Sequence, residues 1–268
     1  MDNTTLKYLH QVHLEMIDEI DRICQKYNIC YFLDSGSALG AVRHGGFIPW
    51  DDDVDIGMMR DDYEKFLQVA SQDMNPIYVI QTHETEPNYH NFHAKIRKKN
   101  TLFPQYYTAT YKYRGIQVDI FPFDYVPDDP IKALRMVKKV RWLRKLSDSV
   151  ASNEYPRNII KKLALYCLKI IPTKYYRKYF EASCVKCNKN KTNFVTSFTY
   201  RMSRTKDLIF PVNDIIPVKS VNFEDREYKI MNNPDSYLRI MYGDYMALPP
   251  EDQRVTHLIG EIIFDTTD

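Results

Sequence analysis

Long apolar runs are what this chain of 268 residues most conspicuously lacks: the longest, Leu163 to Ile171, is interrupted by Lys169 and is too short to cross a bilayer. The N-terminus, Met1-Asp2-Asn3-Thr4-Thr5, has neither the basic start nor the apolar centre of a signal peptide, so a cytoplasmic location is expected. Cysteine is scarce and odd in number (Cys24, Cys30, Cys167, Cys184, Cys187), a poor basis for a disulfide framework. Cys184 and Cys187 form a lone Cys-x-x-Cys with no second pair at zinc spacing and no strand leading into it. No internal repeat or low-complexity segment is present. With 44% hydrophobic residues the chain can bury a sizeable core, which excludes intrinsic disorder.

Glycine is also scarce, yet five of its eight copies (Gly36, Gly40, Gly45, Gly46, Gly57) fall in one short stretch. That stretch couples Gly36-Ser37, a turn suited to cradling phosphate at a helix start, to Asp51-Asp52-Asp53-Val54-Asp55-Ile56. If the second piece is extended, Asp53 and Asp55 leave one face while Val54 and Ile56 enter the core. Two convergent carboxylates suit Mg²⁺, with Mn²⁺ the alternative, and phosphoryl or nucleotidyl transfer. Asp51 shares their face only if the strand reaches back past Trp50, and Asp52 points the other way. The competing reading is a solvated acidic turn.

Leu6, Leu9, His13, Met16, Ile17, Ile20, Ile23, Cys24 and Tyr27 recur at helical spacing, so an amphipathic helix ending near Tyr27-Asn28 is expected. A buried strand over Ile29 to Leu33, a helix starting at Ser35 or Gly36, the strand Asp53 to Gly57 and a helix from Asp62, capped by Asp61-Asp62, should follow. Ile77–Gln81 and Phe92–Arg97 are further strand candidates. Gly115 to Asp124 is a strong strand pattern with one acid at a core position, and a buried carboxylate is costly unless paired or metal-bound. Asp119 is therefore the expected third ligand beside Asp53 and Asp55; otherwise it caps a turn before Pro122.

Charge is distributed unevenly. Ile131 to Lys178 holds 14 Lys and Arg against Asp148 and Glu154, a net +12, so the rest of the chain carries −10 within a total of +2. This block alternates apolar and basic residues at helical spacing. A solvated helical hairpin with snorkelling lysines is one reading; an anionic membrane surface or polymer is the next, and nucleic acid the other.

The run Gly36 to Met58, with its Gly-Ser, His44-Gly45-Gly46-Phe47-Ile48-Pro49-Trp50 and Asp-x-Asp parts, resembles the signature of the LicD family, related to the fukutins. Val118-Asp119-Ile120-Phe121-Pro122-Phe123-Asp124 resembles that family's second block, and Tyr242-Gly243-Asp244-Tyr245 with Pro249-Pro250 its C-terminal one. The resemblance implies an α+β fold: a polymerase-β-like nucleotidyltransferase core, a mixed sheet flanked by helices, with a basic helical insertion. The expected organisation is a catalytic core over 1–130, a basic helical region over 131–200 and a C-terminal segment over 201–268 that completes the site. It further implies a bacterial enzyme moving phosphocholine from CDP-choline to a sugar of a teichoic acid or lipopolysaccharide precursor and releasing CMP, with no nucleic-acid partner. Placement at the inner face of the membrane would follow from the basic block.

For that chemistry Asp53 and Asp55 should hold the metal, and Asp119 should complete the site and accept or orient the acceptor's proton. Gly36 and Ser37 should donate to the pyrophosphate, and Arg43 should reach a phosphate or pair with the acids. Lys95 and Arg97 should neutralise the leaving group unless they are exposed strand charges. An aromatic cage for the quaternary ammonium could draw on the Tyr106, Tyr107, Tyr111 and Tyr113 cluster, which packing would equally explain. A nucleotidyltransferase using NTP, and a non-catalytic membrane or glycan scaffold, are the alternatives.

Overall fold

Asp2 opens the first helix by accepting from the backbone N–H of Thr4 and Thr5, and the helix, α1 (Asn3–Tyr27), closes on Asn28 in the left-handed conformation. The computed structural model describes residues 2–87, 89–105, 108–151, 158–200, 208–254, 256, 258 and 260–265. The apolar stripe of α1, including Leu9, Ile17, Ile20 and Ile23, is wholly buried, as its spacing requires. The Asn28 turn and the Asp34 cap use up the flanks of the next apolar segment, so β1 is only Phe32–Leu33, shorter than the expected Ile29–Leu33.

There follow α2 (Ser35–His44), β2 (Asp55–Met59), α3 (Arg60–Asp73), β3 (Tyr78–Gln81), β4 (Ala94–Lys98) and β5 (Gln117–Val126). Two details differ from expectation. Strand β2 starts at Asp55, leaving Asp53 in the preceding loop, and α3 begins directly after Met59, which makes no side-chain cap, with Asp61 and Asp62 in its first turn. Asp62 instead accepts from the Cys30 N–H at 3.2 Å, while both acids lie at the positive end of the helix dipole.

The basic block forms α4 (Pro130–Ala151), α5 (Ile159–Lys169) and α6 (Thr173–Cys184), followed by a 3₁₀ turn over Val185–Asn190. The chain then returns to the sheet through β6 (Phe194–Thr196) and β7 (Phe210–Pro211), and ends with α7 (Val212–Ile215), β8 (Lys219–Phe223), β9 (Arg226–Ile230) and α8 (Pro234–Tyr242). The sheet is mixed and runs β3-β4-β5-β2-β1-β9-β8, with β6 paired to the far end of β5 and β7 to β6. Strands β2 and β5 are parallel, β4 and β5 antiparallel.

One sheet face carries Ile56, Ile96, Val118 and Ile120, all buried in the main core with the apolar stripe of α1. A satellite core joins α4 and α6 through Val137, Val140, Leu143, Phe180 and Cys184. Asp124 fixes that region to the sheet: it takes a bidentate pair from Arg60 (2.8 and 2.6 Å) and a hydrogen bond from Asn188 Nδ2 at 2.8 Å. Among the described residues, no helix is long and apolar enough to cross a membrane.

Candidate functional site

The other face of the sheet is built from one row of register partners. Asp55 on β2 stands opposite Asp119 on β5, Asp119 opposite Lys95 on β4, and Lys95 opposite Gln81 on β3. Arg97 and Gln117 form the next row. With side chains alternating along each strand, these polar groups face one way and the apolar core the other. Asp55, Asp119, Lys95, Arg97 and Gln117 form the floor of a cavity of about 640 Å³ whose walls include Ser35, Gly36, Asp51, Asp53, His93 and Tyr242.

Helix α2 is aimed at this cavity by its cap. Asp34 accepts from the Ser35 N–H at 2.8 Å and from the Tyr200 and Tyr237 hydroxyls, and burial pushes its carboxyl up to about 6 despite those bonds. Ser35 adopts a left-handed φ of 47°, a conformation that costs a serine about 1 kcal/mol. Gly36 lets the helix start pass close to the acids: a Cβ there would stand 2.9 Å from Asp51 Oδ2. Ser37 is buried behind this edge, where its Oγ accepts from the Asp55 N–H at 2.9 Å, so its oxygen aligns β2 and does not line the cavity.

Asp51, Asp53, Asp55 and Asp119 all reach the cavity. Asp51, Asp52 and Asp53 each offer a carboxylate oxygen within 4.8 Å of the others. Asp52 is buried outside the cavity lining and accepts from the Leu258 N–H at 2.9 Å. Burial first, then the carboxylates of Asp53, Asp119, Asp34 and Asp51, push the Asp55 carboxyl well above its ordinary range. Burial first, then the carboxylates of Asp55, Asp34, Asp51 and Asp53, push the Tyr242 hydroxyl up. Like charges collected in a low-dielectric site are relieved by a cation or by protonation. Because the converging donors are carboxylate oxygens, they fit a hard divalent ion of the Mg²⁺ class.

Asp119 differs from its neighbours. Lys95 Nζ donates to its two oxygens at 2.6 and 2.8 Å, and His93 Nε2 lies 3.1 Å from Oδ2. Burial works to raise this carboxyl, but Lys95 and His93 outweigh it and hold Asp119 well below the usual carboxylate range. Lys95 and His93 thus favour the ionised form of Asp119.

The remaining expectations divide. Lys95 and Arg97 are buried strand cations, not exposed ones. Arg97 donates through Nε to Gln81 and through Nη1 to the Gly115 carbonyl at 2.7 Å, while its buried Nη2 finds no hydrogen-bond partner among the described residues. Arg43 turns away from the cavity lining and donates to the Tyr245 carbonyl at 2.7 Å, tying α2 to the C-terminal segment. Tyr111 lines the cavity, Tyr113 does not, and Tyr106 and Tyr107 lie outside the described residues.

Sequence reasoning missed His93, Phe121 and Tyr200 as cavity residues, and named Tyr242 only within the C-terminal block expected to complete the site. Phe121 packs 4.3 Å from the His93 ring and 5.2 Å from Tyr200, so aromatic faces border the acids. Phe121 had a signal, since it follows Asp119 by two and shares its strand face.

A family described as LicD/FKTN/FKRP, nucleotidyltransferase domain, matches residues 28–170. The lipopolysaccharide cholinephosphotransferase LicD of Haemophilus influenzae is 31% identical over 97% of this chain and 98% of its own length. A Rickettsia typhi protein without assigned function is 42% identical over 25% of this chain and 24% of its own. The human ribitol 5-phosphate transferase FKRP is 48% identical over 40 residues, which are 15% of this chain and 8% of FKRP.

Proposed function

The chain belongs to the LicD/FKTN/FKRP nucleotidyltransferase-domain family, and from that premise we propose that it transfers phosphocholine from CDP-choline to a sugar hydroxyl of a teichoic acid or lipopolysaccharide precursor, with Mg²⁺, releasing CMP. It is a phosphotransferase. A polymerase-β-like core is the reading that accords with two acids on β2 and its approach and a third on the neighbouring β5. The observation that carries the proposal is the convergence of Asp51, Asp53, Asp55 and Asp119 in one cavity with Lys95 buried among them.

In this reaction the acceptor oxygen forms a bond to the choline-bearing phosphorus, the bond from that phosphorus to the oxygen shared with CMP breaks, and the hydroxyl proton must be taken up. The proton would pass to a carboxylate of this cluster that the cation leaves free, Asp51 or Asp119. Asp53 and Asp55 would hold Mg²⁺, which would supply charge neutralisation on the phosphate oxygens. Lys95 is placed to follow negative charge onto the leaving phosphate. Ser35 and Gly36 present the start of α2, where backbone N–H groups favour a diphosphate. Phe121, Tyr200 and Tyr242 offer aromatic faces to a quaternary ammonium.

The test is acceptor-dependent release of CMP from CDP-choline with Mg²⁺, run beside pyrophosphate release from NTPs. CMP release that Asp53→Ala lowers by roughly a thousandfold or more, in a protein with unchanged circular dichroism, supports the reading. Pyrophosphate release instead would replace it with NTP-dependent nucleotidyl transfer.

A further inference from the structure

Helix α5 is assembled the wrong way round for a surface helix. Ile159, Leu163, Tyr166 and Ile170 recur at i, i+4, i+7 and i+11, the spacing of one helical face, and that face points outward. Ile159 is 72%, Ile160 74%, Leu163 60% and Ile170 80% exposed, whereas Leu165 is the one residue of α5 that is buried. Its neighbour α4, drawn from the same basic block, behaves ordinarily: Ala133, Val137, Val140 and Leu143 are buried against Phe180 and Cys184 of α6. Isolated apolar groups, Ile131 and Trp142, are exposed on α4 as well, but the continuous exposed aliphatic face belongs to α5 and the turn into α6.

Charge identifies what covers it. From Asn158 to Phe180 the chain carries Lys161, Lys162, Lys169, Lys174, Arg177 and Lys178 and no acid at all. Arg177 is buried and donates to the Tyr89 carbonyl, so the five lysines form the outward cationic set. A second copy of this face would oppose lysine to lysine, which disfavours self-association through it. Nucleic acid prefers stacking surfaces, yet the most exposed groups here are branched aliphatic side chains. A lysine-flanked aliphatic stripe complements an anionic bilayer surface, where the isoleucines enter the headgroup and acyl boundary and the ammonium groups remain among the phosphates.

We propose that α5 and the turn into α6 dock this protein on anionic lipid, through Ile159, Ile160, Leu163 and Ile170 with the surrounding lysines. The proposal holds whatever the donor, so failure of the assigned reaction would leave it standing and its own failure would leave the reaction standing. The experiment is co-sedimentation of the full chain with phosphatidylcholine vesicles containing about a third phosphatidylglycerol, against phosphatidylcholine alone.

Binding is expected to the anionic vesicles only, and Leu163→Ser/Ile170→Ser should weaken it by roughly tenfold or more with an unchanged melting temperature, since both side chains are already in water. Lys161→Gln/Lys162→Gln/Lys174→Gln should weaken it too and flatten its salt dependence. Absence of binding to the anionic vesicles, or binding equally strong in the serine variant, overturns the proposal. Concentration-dependent self-association abolished by the same serine substitutions also overturns it, by assigning the face to a second copy.

Discussion

At the scale of single residues, the ion pair between Lys95 and Asp119 sets the electrostatics of the cavity. Both groups are nearly closed to solvent, so each depends on the other for the cost of its desolvation. Replacing Lys95 by Met leaves Asp119 with His93 alone, and replacing Asp119 by Leu strands a buried ammonium. Each single substitution should lower unfolding free energy by about 3 kcal/mol, while the double variant Lys95→Met/Asp119→Leu should lose less than either, because no unpaired charge is left behind. Urea denaturation of the four proteins measures this, and additive losses would show that the pair is not coupled. All three variants should lack transferase activity. Asp119 was legible in the sequence because an acid inside an apolar alternating strand needs a partner. His93 carried a weaker signal: the expected strand Phe92–Arg97 puts it on the face of Lys95 and Arg97, but its contact with Asp119 arises only once β4 and β5 pair.

At the scale of elements, one link between the basic helices and the cavity runs through Arg144. Arg144 on α4 donates to the Thr199 carbonyl at 3.1 Å and to that of Tyr200, and Thr199 and Tyr200 line the cavity. Arg144→Met should free this segment, raising the donor KM or lowering kcat by roughly tenfold, with a smaller effect on melting because α4 keeps its apolar face. Steady-state kinetics beside thermal melting separate the two; unchanged kinetics would mean that β6 and the Tyr200–Asp34 hydrogen bond suffice to hold Tyr200. This link explains the limits of the sequence reading. Period-two and period-3.6 patterns located α1, α2, β2 to β5 and the acids, since each is a local signal. Tyr200 and Tyr242 come from segments far along the chain, brought in by β6 and α8. Arg43, two turns along α2, faces Tyr245 because the C-terminal segment passes there, which helix spacing alone does not reveal.

At the scale of the whole molecule, the packing of α1 on the sheet makes stability depend on pH. His13 lies in the apolar stripe of α1, and burial, followed by the nearby His10, pushes its imidazole down to about 3. In the unfolded chain the same group titrates near 6.5. Below that pH the unfolded state binds a proton that the folded state refuses, so stability is complete above about pH 6.5 and is lost as the pH falls towards the folded value. At pH 5 the loss attributable to His13 should be about 2 kcal/mol, from a separation of roughly 1.5 pH units. Denaturant midpoints measured between pH 7.5 and 5 should therefore fall in the parent protein. In His13→Leu, which keeps an apolar group at this position and cannot be protonated, the fall should be smaller by that amount. An identical slope in both proteins would place the acid sensitivity elsewhere, with His10 the next group to replace because burial lowers it as well and it shares a stacking contact with Phe47 at 3.9 Å. The direction of this effect is opposite to that of a surface histidine gaining an acidic partner, whose stabilisation would grow as the pH falls.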